Sequence, residues 1–286
     1  MQKRVDVAII GAGFAGSILA WILAKQGMSV ALVDAATHPR FAIGESSTPV
    51  ADMLLRRLGR DYRLSELESL STWGTWQRDH PGLACGRKRG FSYYRHDRGE
   101  PFGESHHGER SLLVAASPSD TLADTHWFRQ DVDQFFFTRA IEAGAIDLTG
   151  HRVVAHEVLS HSKFILECQG AKQVKVEAEW IIDASGQAGV LAKLAGAKTL
   201  TDQLITNTHA VYAHYANVGS WTEHLRQSSI STTNDPFDGD DAAQHHLLDE
   251  GWLWMLRFNH GITSIGHTAP VSARLKRCLL YTSDAA

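Results

Sequence analysis

A glycine-rich turn near the amino terminus constrains the fold of this chain more than any other feature. The letters GAGFAG at residues 11–16 have the spacing G-x-G-x-x-G, they follow a short apolar segment, and they open a segment with helical spacing. In such a turn the first glycine permits a tight bend, the second lets the backbone approach a diphosphate, and the third lets the helix pack closely on the strand. We expect these residues to contact a dinucleotide: Gly11, Gly13, Phe14, Ala15 and Gly16.

The segments around this turn complete a βαβ unit over residues 5–34. Residues 5–10 and 30–33 are short apolar runs typical of buried parallel strands, and residues 15–26 have helical spacing up to Gly27. Asp34 follows the second strand, where an acid can accept hydrogen bonds from ribose hydroxyls. The alternative is a tight strand–helix turn followed by an incidental acid. The motif does not by itself distinguish FAD from NAD.

Composition and charge exclude several classes of protein. The 286 residues are 43% hydrophobic and carry a net charge of -4, which favours a globular domain and argues against nucleic-acid binding. Three cysteines have no zinc-site or disulfide spacing, which favours a reducing cytoplasm. No uninterrupted apolar run is long enough to span a membrane. The sixteen histidines have no metal-site spacing, so we expect no metal.

The remainder of the chain predicts further helices and strands. Residues 50–58 predict a helix ended by Gly59, residues 132–143 predict another helix, and residues 228–244 predict a loop. Residues 60–110 give no clear pattern. The predicted strands lie at 146–148, 153–160, 164–168, 173–178, 180–182, 206–216, 251–255, 257–259 and 262–266.

Three later segments resemble the flavin-contacting segments of flavin-dependent halogenases and related monooxygenases. They read GESSTP at residues 44–49 (shortly after an HPR triplet), WFRQDVD at 127–133 and IIDASG at 181–186, in the matching order. The resemblance implies FAD as the cofactor and an α/β, Rossmann-like, glutathione-reductase-type fold with an inserted antiparallel β-sheet substrate region. It implies cofactor contacts at Arg40, Gly44, Glu45, Ser46, Arg129, Asp183 and Gly186.

Each of these segments also has a simpler interpretation. Residues 44–49 could form a plain turn before a helix, and residues 183–186 could be a capped strand end. Arg129 could form a surface ion pair with Asp131 or Asp133. The occurrence of all three in order favours the cofactor interpretation.

The resemblance also implies a catalytic lysine downstream of the GES letters. Lys88 is the candidate, because a lysine is a compact hydrogen-bond donor whose pKa falls readily on burial. In the related halogenases this lysine holds hypohalous acid close to an electron-rich ring. The alternative is that Arg87, Lys88 and Arg89 form a solvated basic loop.

Two tryptophans match a second halogenase segment, W-x-W-x-I-P. Trp252 and Trp254 are two positions apart and project to one face of a strand, where they would wall the substrate side off from the flavin. Leu256 and Arg257 replace the Ile-Pro pair, which weakens the match to halogenation. The alternative is two indoles that cover a hydrophobic core.

These patterns together predict an FAD-dependent, halogenase-like oxidoreductase. It would use halide, O₂ and reduced flavin from a separate reductase to modify an electron-rich aromatic substrate. The alternatives are a flavin monooxygenase or another FAD oxidoreductase, an NAD-dependent dehydrogenase, and an inactive truncated fragment. We expect an FAD-binding domain at residues 1–200, an incomplete substrate-side sheet at 201–273, and a non-native tail at 274–286, whose letters RLKRCLLYTSDAA resemble read-through sequence.

Overall fold

The computed structural model describes residues 1–103, 109–160 and 163–271. Within these ranges the chain forms two six-stranded sheets and a two-stranded ribbon, with helices packed around them. The tail expected at 274–286 lies outside the described residues. None of the described helices is long and apolar enough to cross a membrane, and the described residues contain no group of three or more side chains placed to bind a metal.

The elements follow one another from the glycine-rich turn to the substrate-side sheet. The strands are β1 (Gln2–Ile10), β2 (Val30–Asp34), β3 (Cys85–Lys88), β4 (Gly90–Arg95), β5 (Ser111–Ala115), β6 (Asp124–Trp127), β7 (Ile146–Thr149), β8 (Arg152–Ser160), β9 (Lys163–Gln169), β10 (Val174–Asp183), β11 (Thr208–Ala216), β12 (Ala242–Leu248), β13 (Gly251–Arg257) and β14 (Ile262–Pro270). The α-helices are α1 (Phe14–Lys25), α2 (Pro49–Asp61), α3 (Ser65–Ser69), α4 (Trp73–Asp79), α5 (Arg129–Glu142), α6 (Val190–Leu194) and α7 (Trp221–Gln227). Short 3-10 helices lie at Gly186–Ala188, Thr201–Gln203 and Gly239–Asp241.

The first sheet has the strand order β7-β2-β1-β10-β9-β8. Its first four strands are parallel, and β9 and β8 are antiparallel to their neighbours. Ile10 is in register with Val33 on one side and with Asp183 on the other. The carboxyl ends of β1, β2 and β10 therefore meet at one edge, where parallel α/β sheets bind ligands. This confirms the predicted α/β, Rossmann-like fold.

Burial explains why these apolar runs form the central strands. Residues of β1 and β2 alternate between two hydrophobic clusters, one on each face of the sheet. Ile9 and Leu32 pack with Trp21 of α1 and Phe136 of α5, and all four are buried. A strand covered on both faces needs apolar residues at successive positions, which the sequence supplies.

The second sheet has the strand order β11-β14-β13-β12-β4-β5 and is antiparallel except for the β12–β4 pair. Strands β4 and β5 belong to it, so the sheet is not confined to residues 201–273 as expected. The boundary at residue 200 stays a prediction. The prediction of a loop at 228–244 was wrong at its end, because residues 242–244 begin β12. Gln244 is fully buried there and donates hydrogen bonds to Gly239 and Asp240.

Two predicted helix boundaries were also wrong. Helix α2 passes through Gly59 and continues to Asp61. A Cβ at position 59 would lie 2.8 Å from the backbone nitrogen of Glu68, so this glycine permits the close approach of α3. Helix α5 begins at Arg129 and not at residue 132, which places that arginine in its first turn.

We expect Gly16→Ala to destabilise the protein by about 3 kcal/mol or more. Alanine usually stabilises a helix relative to glycine. Here its Cβ would lie 1.9 Å from the carbonyl oxygen of Gly11, and backbone atoms must move to relieve that clash. Chemical denaturation measures the change. Gly82→Ala is the control, since no atom lies within 4 Å of its Cβ. An equal loss in both variants would contradict the close packing at position 16.

Candidate functional site

A cavity of about 530 Å³ lies at the carboxyl edge of β1 and β2. Its wall combines the glycine-rich turn with chain segments that are far apart in sequence. The lining contains eight of the residues predicted to contact the cofactor: Gly11, Gly13, Phe14, Ala15, Asp34, Arg40, Arg129 and Gly186. The other five lie outside the lining: Gly16, Gly44, Glu45, Ser46 and Asp183.

The amino end of α1 opens onto this cavity. Gly13 is the N-cap residue, no side chain caps the helix, and its first turn has no acidic residue. The first backbone N–H groups of the helix therefore keep their hydrogen-bonding capacity and the positive end of the helix dipole. This arrangement suits a diphosphate.

The turn touches the segment that follows β10. Gly11 has a φ of +106°, and a Cβ there would lie 2.4 Å from the carbonyl oxygen of Ala184. Asp183 supports this contact from outside the cavity, because its carboxylate accepts hydrogen bonds from the backbone N–H groups of Ser185 and Leu191. Burial opposes the ionisation of Asp183, but these hydrogen bonds outweigh it and lower its pKa.

Asp34 and Arg40 form a charged pair at the cavity wall. The carboxylate of Asp34 accepts hydrogen bonds from the backbone N–H groups of Ala12 and Ala36, at 2.7 and 2.8 Å. Arg40 forms an ion pair with it at 3.2 Å. Asp34 is thereby fixed beside the turn, where its carboxylate can accept hydrogen bonds from ribose hydroxyl groups. The guanidinium of Arg40 can form an ion pair with a phosphate group.

Arg129 connects the 43–44 segment to the cavity. Its guanidinium forms two hydrogen bonds with the carboxylate of Asp133, at 2.7 and 2.8 Å, and Asp133 is fully buried. Its Nη1 donates to the carbonyl oxygens of Ile43 and Gly44, and its charge lies 4.5 Å from the centre of the Phe14 ring. The interpretation as a surface ion pair was wrong, because Arg129 is only 8% exposed.

Glu45 and Ser46 join this segment to the second sheet. Glu45 is buried, and its Oε1 lies 2.7 Å from Nε2 of His214 on β11. Ser46 is exposed and pairs through its backbone with His126 on β6. Gly44, Glu45 and Ser46 therefore belong to a segment that connects the cavity to the second sheet, and they do not form a plain surface turn.

Lys88 lies at the end of β3 and is fully buried. Its Nζ donates a hydrogen bond to the carbonyl oxygen of Ser47 and lies 4.3 Å from the centre of the Phe91 ring. Burial lowers the pKa of Lys88, and the nearby carboxyl groups of Asp124 and Asp52 oppose that shift. The interpretation of residue 88 as part of a solvated loop was therefore wrong.

A row of aromatic rings crosses one face of the second sheet towards Lys88. Tyr212 and Trp254, on β11 and β13, have ring centroids 6.1 Å apart, and His245 of β12 stacks on Tyr93 of β4 at 4.8 Å. Trp252 bridges the two pairs, with centroids 6.0 Å from Trp254 and 5.1 Å from His245. The two tryptophans share a face, as predicted, and both are half-buried.

Sequence reasoning missed part of the cavity wall. The lining residues that were not named individually lie at the end of β1, on β2, just before and on β8, and in the segments after β2 and β10: Ile10, Val33, Ala35, Ile43, His151, Arg152, Val153, Ala184, Ser185, Ala188 and Val190. Of these, Ala184 and Ser185 belong to the 181–186 segment that the resemblance had already placed at the cofactor. Their common signal is position, because most of them lie within two residues of a strand end or a strand beginning.

We expect the free energy of unfolding to fall as the pH drops below about 6.5, in part because of His126. Burial and then the charge of Lys88 lower the pKa of His126 from 6.5 to about 3. The unfolded chain therefore binds more protons than the folded one between these values, so stability is lost as the pH falls. Denaturation at several pH values measures this slope. Between about pH 6.5 and 4.5, we expect the free energy of unfolding of His126→Phe to fall by about 2 kcal/mol less than that of the wild type. The control variant His224→Gln, at an exposed position, should show the same fall as the wild type. An unchanged slope in His126→Phe would contradict a neutral buried imidazole.

Comparisons with known proteins agree with this geometry. A family model described as FAD dependent oxidoreductase matches residues 6–268. Tetracycline 7-halogenase of Kitasatospora aureofaciens is 30% identical over 259 residues, which cover 91% of this chain and 45% of that protein. The monodechloroaminopyrrolnitrin halogenase PrnC of Pseudomonas fluorescens is 25% identical, with 96% and 46% covered.

Solved structures give the same result. The crystal structure of halogenase PltM has a TM-score of 0.81 and 32% identity, covering 93% of this chain and 51% of that one. A second structure of PltM, in complex with phloroglucinol and FAD, has a TM-score of 0.80 and 31% identity, with the same coverage. The chain thus spans about half the length of the relatives that it matches.

Proposed function

Because the chain belongs to the family of FAD-dependent oxidoreductases, we propose that it carries the FAD cleft and the reactive lysine of a flavin-dependent halogenase. The observation that carries this proposal is the placement of Lys88. It lies buried between Ser47, which continues the connecting segment from the cleft, and Phe91 in the second sheet. A cationic donor enclosed beside aromatic rings suits the capture of a small polar oxidant.

FAD fits the cleft through groups that the chain already presents. The amino end of α1, which no side chain caps, would hold the diphosphate, and Asp34 would accept hydrogen bonds from the ribose hydroxyls. Arg129 holds the 43–44 carbonyl groups and so keeps the connecting segment in place beside the cofactor. Once reduced, FAD supplies the activation of O₂ that converts halide into an electrophilic halogen species.

The chain's own residues then separate and position the reactants. Lys88 donates a hydrogen bond to hypohalous acid and directs its halogen to a carbon of an electron-rich aromatic ring. The bond between oxygen and halogen breaks, the ring carbon loses its proton, and the hydroxide and the proton leave as water. Trp252 and Trp254 form the wall that keeps this ring away from the cleft. Lys88 is fully buried, and low access of water to the ammonium group strengthens the hydrogen bond that it donates.

The proposal includes the partners and the location of the protein. A separate reductase supplies the reduced flavin, the organic substrate is a small aromatic molecule, and the protein works in the cytoplasm. Neither nucleic acid nor a membrane takes part. Residues 1–200 contribute most of the cofactor side, and the second sheet contributes the substrate side.

Product analysis tests the proposal. The protein is incubated with FAD, a flavin reductase and its electron donor NADH, O₂, bromide and a panel of indoles, phenols and pyrroles. The products are examined by mass spectrometry. We expect added bromine that depends on both FAD and bromide. Products that contain added oxygen and never halogen would identify a monooxygenase instead.

A further inference from the structure

Two buried carboxyl groups with no role in the reaction described above lie beside Lys88. Asp52 belongs to the first turn of α2 and is 2% exposed, and Asp124 belongs to β6 and is 5% exposed. Asp124 is the cross-strand partner of Lys88 in the β3–β6 ribbon. Three ionisable side chains from three elements therefore meet in an environment with little access to water.

Within the described ranges, each of the two carboxyl groups has a buried oxygen that lacks a hydrogen-bond donor. The side chains of Asp52 and Asp124 are within hydrogen-bonding distance of each other. Nevertheless, Oδ1 of Asp52 and Oδ2 of Asp124 are buried and receive no hydrogen bond from a donor among the described residues. Two ionised carboxylates in this position would repel each other, whereas a single shared proton would let one carboxyl group donate a hydrogen bond to the other.

The surrounding charges are consistent with one shared proton. The titratable and charged groups that face this site, including the pair itself, come from α2, β3, β6 and β12: Asp52, Arg56, Lys88, Asp124, His126 and His245. Burial lowers the pKa of both histidines, so they are neutral at about pH 7. Arg56 is exposed to solvent. Inside the site, one negative charge on the pair balances one positive charge on Lys88.

We propose that Asp52 and Asp124 share a single proton and that their one negative charge keeps Lys88 protonated and fixed on the carbonyl oxygen of Ser47. The two aspartates are thus positioning residues. With two negative charges the pair would draw the ammonium away from Ser47. With none, a buried lysine would lose its proton. The role in catalysis rests on the function proposed above, but the shared proton does not.

Infrared difference spectroscopy of the purified chain tests the shared proton without any enzymatic assay. At about pH 7 an ordinary aspartate is ionised, so we expect wild type to show the carbonyl band of a protonated carboxylic acid. Asp52→Asn and Asp124→Asn should each abolish this band, and Asp61→Asn, at an exposed position on the same helix, should retain it. Absence of the band from folded wild type, or its persistence in both site variants, would overturn the shared proton.

Activity assays test the positioning role. Each single asparagine variant keeps one negative charge beside Lys88, and the double variant Asp52→Asn/Asp124→Asn keeps none. We expect the kcat of the double variant to be at least about tenfold lower than the kcat of either single variant. We also expect the decline of wild-type activity at alkaline pH, where the shared proton is lost, to be absent from the single variants. Equal kcat in the single and double variants would overturn the positioning role.

The two assays separate this inference from the proposed function. A carboxylic-acid band in a protein that brominates no aromatic compound would contradict the proposed function and leave the shared proton intact. Bromination by a wild-type protein that lacks the band would overturn the inference alone.

Discussion

Lys88→Met is expected to reduce bromination by about three orders of magnitude and to change FAD affinity less than about twofold. Methionine fills a similar volume but cannot donate the hydrogen bond that we propose for holding hypohalous acid. Lys88 is not among the residues that line the cavity, so flavin binding and the oxidation of reduced flavin by O₂ should continue. Product formation by mass spectrometry and flavin oxidation by absorbance give the two rates.

Arg87→Met is the matched control for this variant. Arg87 is the neighbour of Lys88 in the same basic run, but its guanidinium forms ion pairs with Asp120 and Asp241. We expect this variant to retain most bromination. Equal losses in the two variants, or normal bromination by Lys88→Met, would remove the reactive role from position 88.

Arg129→Met is expected to weaken FAD binding about a hundredfold, because it releases the Ile43 and Gly44 carbonyl groups and removes a cation from the cavity wall. The same change leaves the fully buried carboxylate of Asp133 without its partner. We therefore also expect a loss of about 3 kcal/mol in the free energy of unfolding. A flavin fluorescence titration and a denaturation curve measure the two effects.

The double variant Arg129→Met/Asp133→Leu separates the two effects. It removes both buried charges, so stability should recover by about 2 kcal/mol or more. FAD affinity should stay low, because the contacts with residues 43 and 44 are still missing. Recovery of both properties together would show that Arg129 acts on the cofactor only through the stability of α5.

The first βαβ unit could be predicted from the sequence because every signal in it is local. Its strands are contiguous apolar runs, its turn has fixed glycine spacing, and Asp34 follows at the end of β2. The proximity of Gly11 to Ala184 could also be predicted, because the resemblance placed both of their segments near one cofactor.

Features made by long-range pairing could not be predicted in this way. Strand β12 pairs in parallel with β4, about 150 residues earlier in the chain, and no period or turn residue indicates that partnership. Glu45 and His214 are separated by 169 residues. The Asp52–Asp124 pair joins a helix to a strand, and its partners are visible only once α2 and β6 are packed together.

The departure of the W-x-W segment from its Ile-Pro ending has a structural explanation. Leu256 is buried, and Arg257 forms an ion pair with Asp240 at 2.9 Å and donates to the carbonyl oxygen of Val218. These contacts tie β13 to the segments before α7 and β12. The ring centroids of Trp252 and Trp254 still lie 6.0 Å apart, so Leu256 and Arg257 change how the strand is anchored and leave the two indole rings side by side.

An equilibrium titration of the purified protein with FAD, FMN and ADP tests cofactor binding at the glycine turn most directly. FAD should bind with a Kd of about 1 µM or tighter. ADP should compete with it, and FMN should bind at least about tenfold more weakly, since it lacks the adenosine half held by the turn and Asp34. A folded protein that binds no FAD, or that binds FMN as tightly as FAD, would contradict the assignment of this cleft.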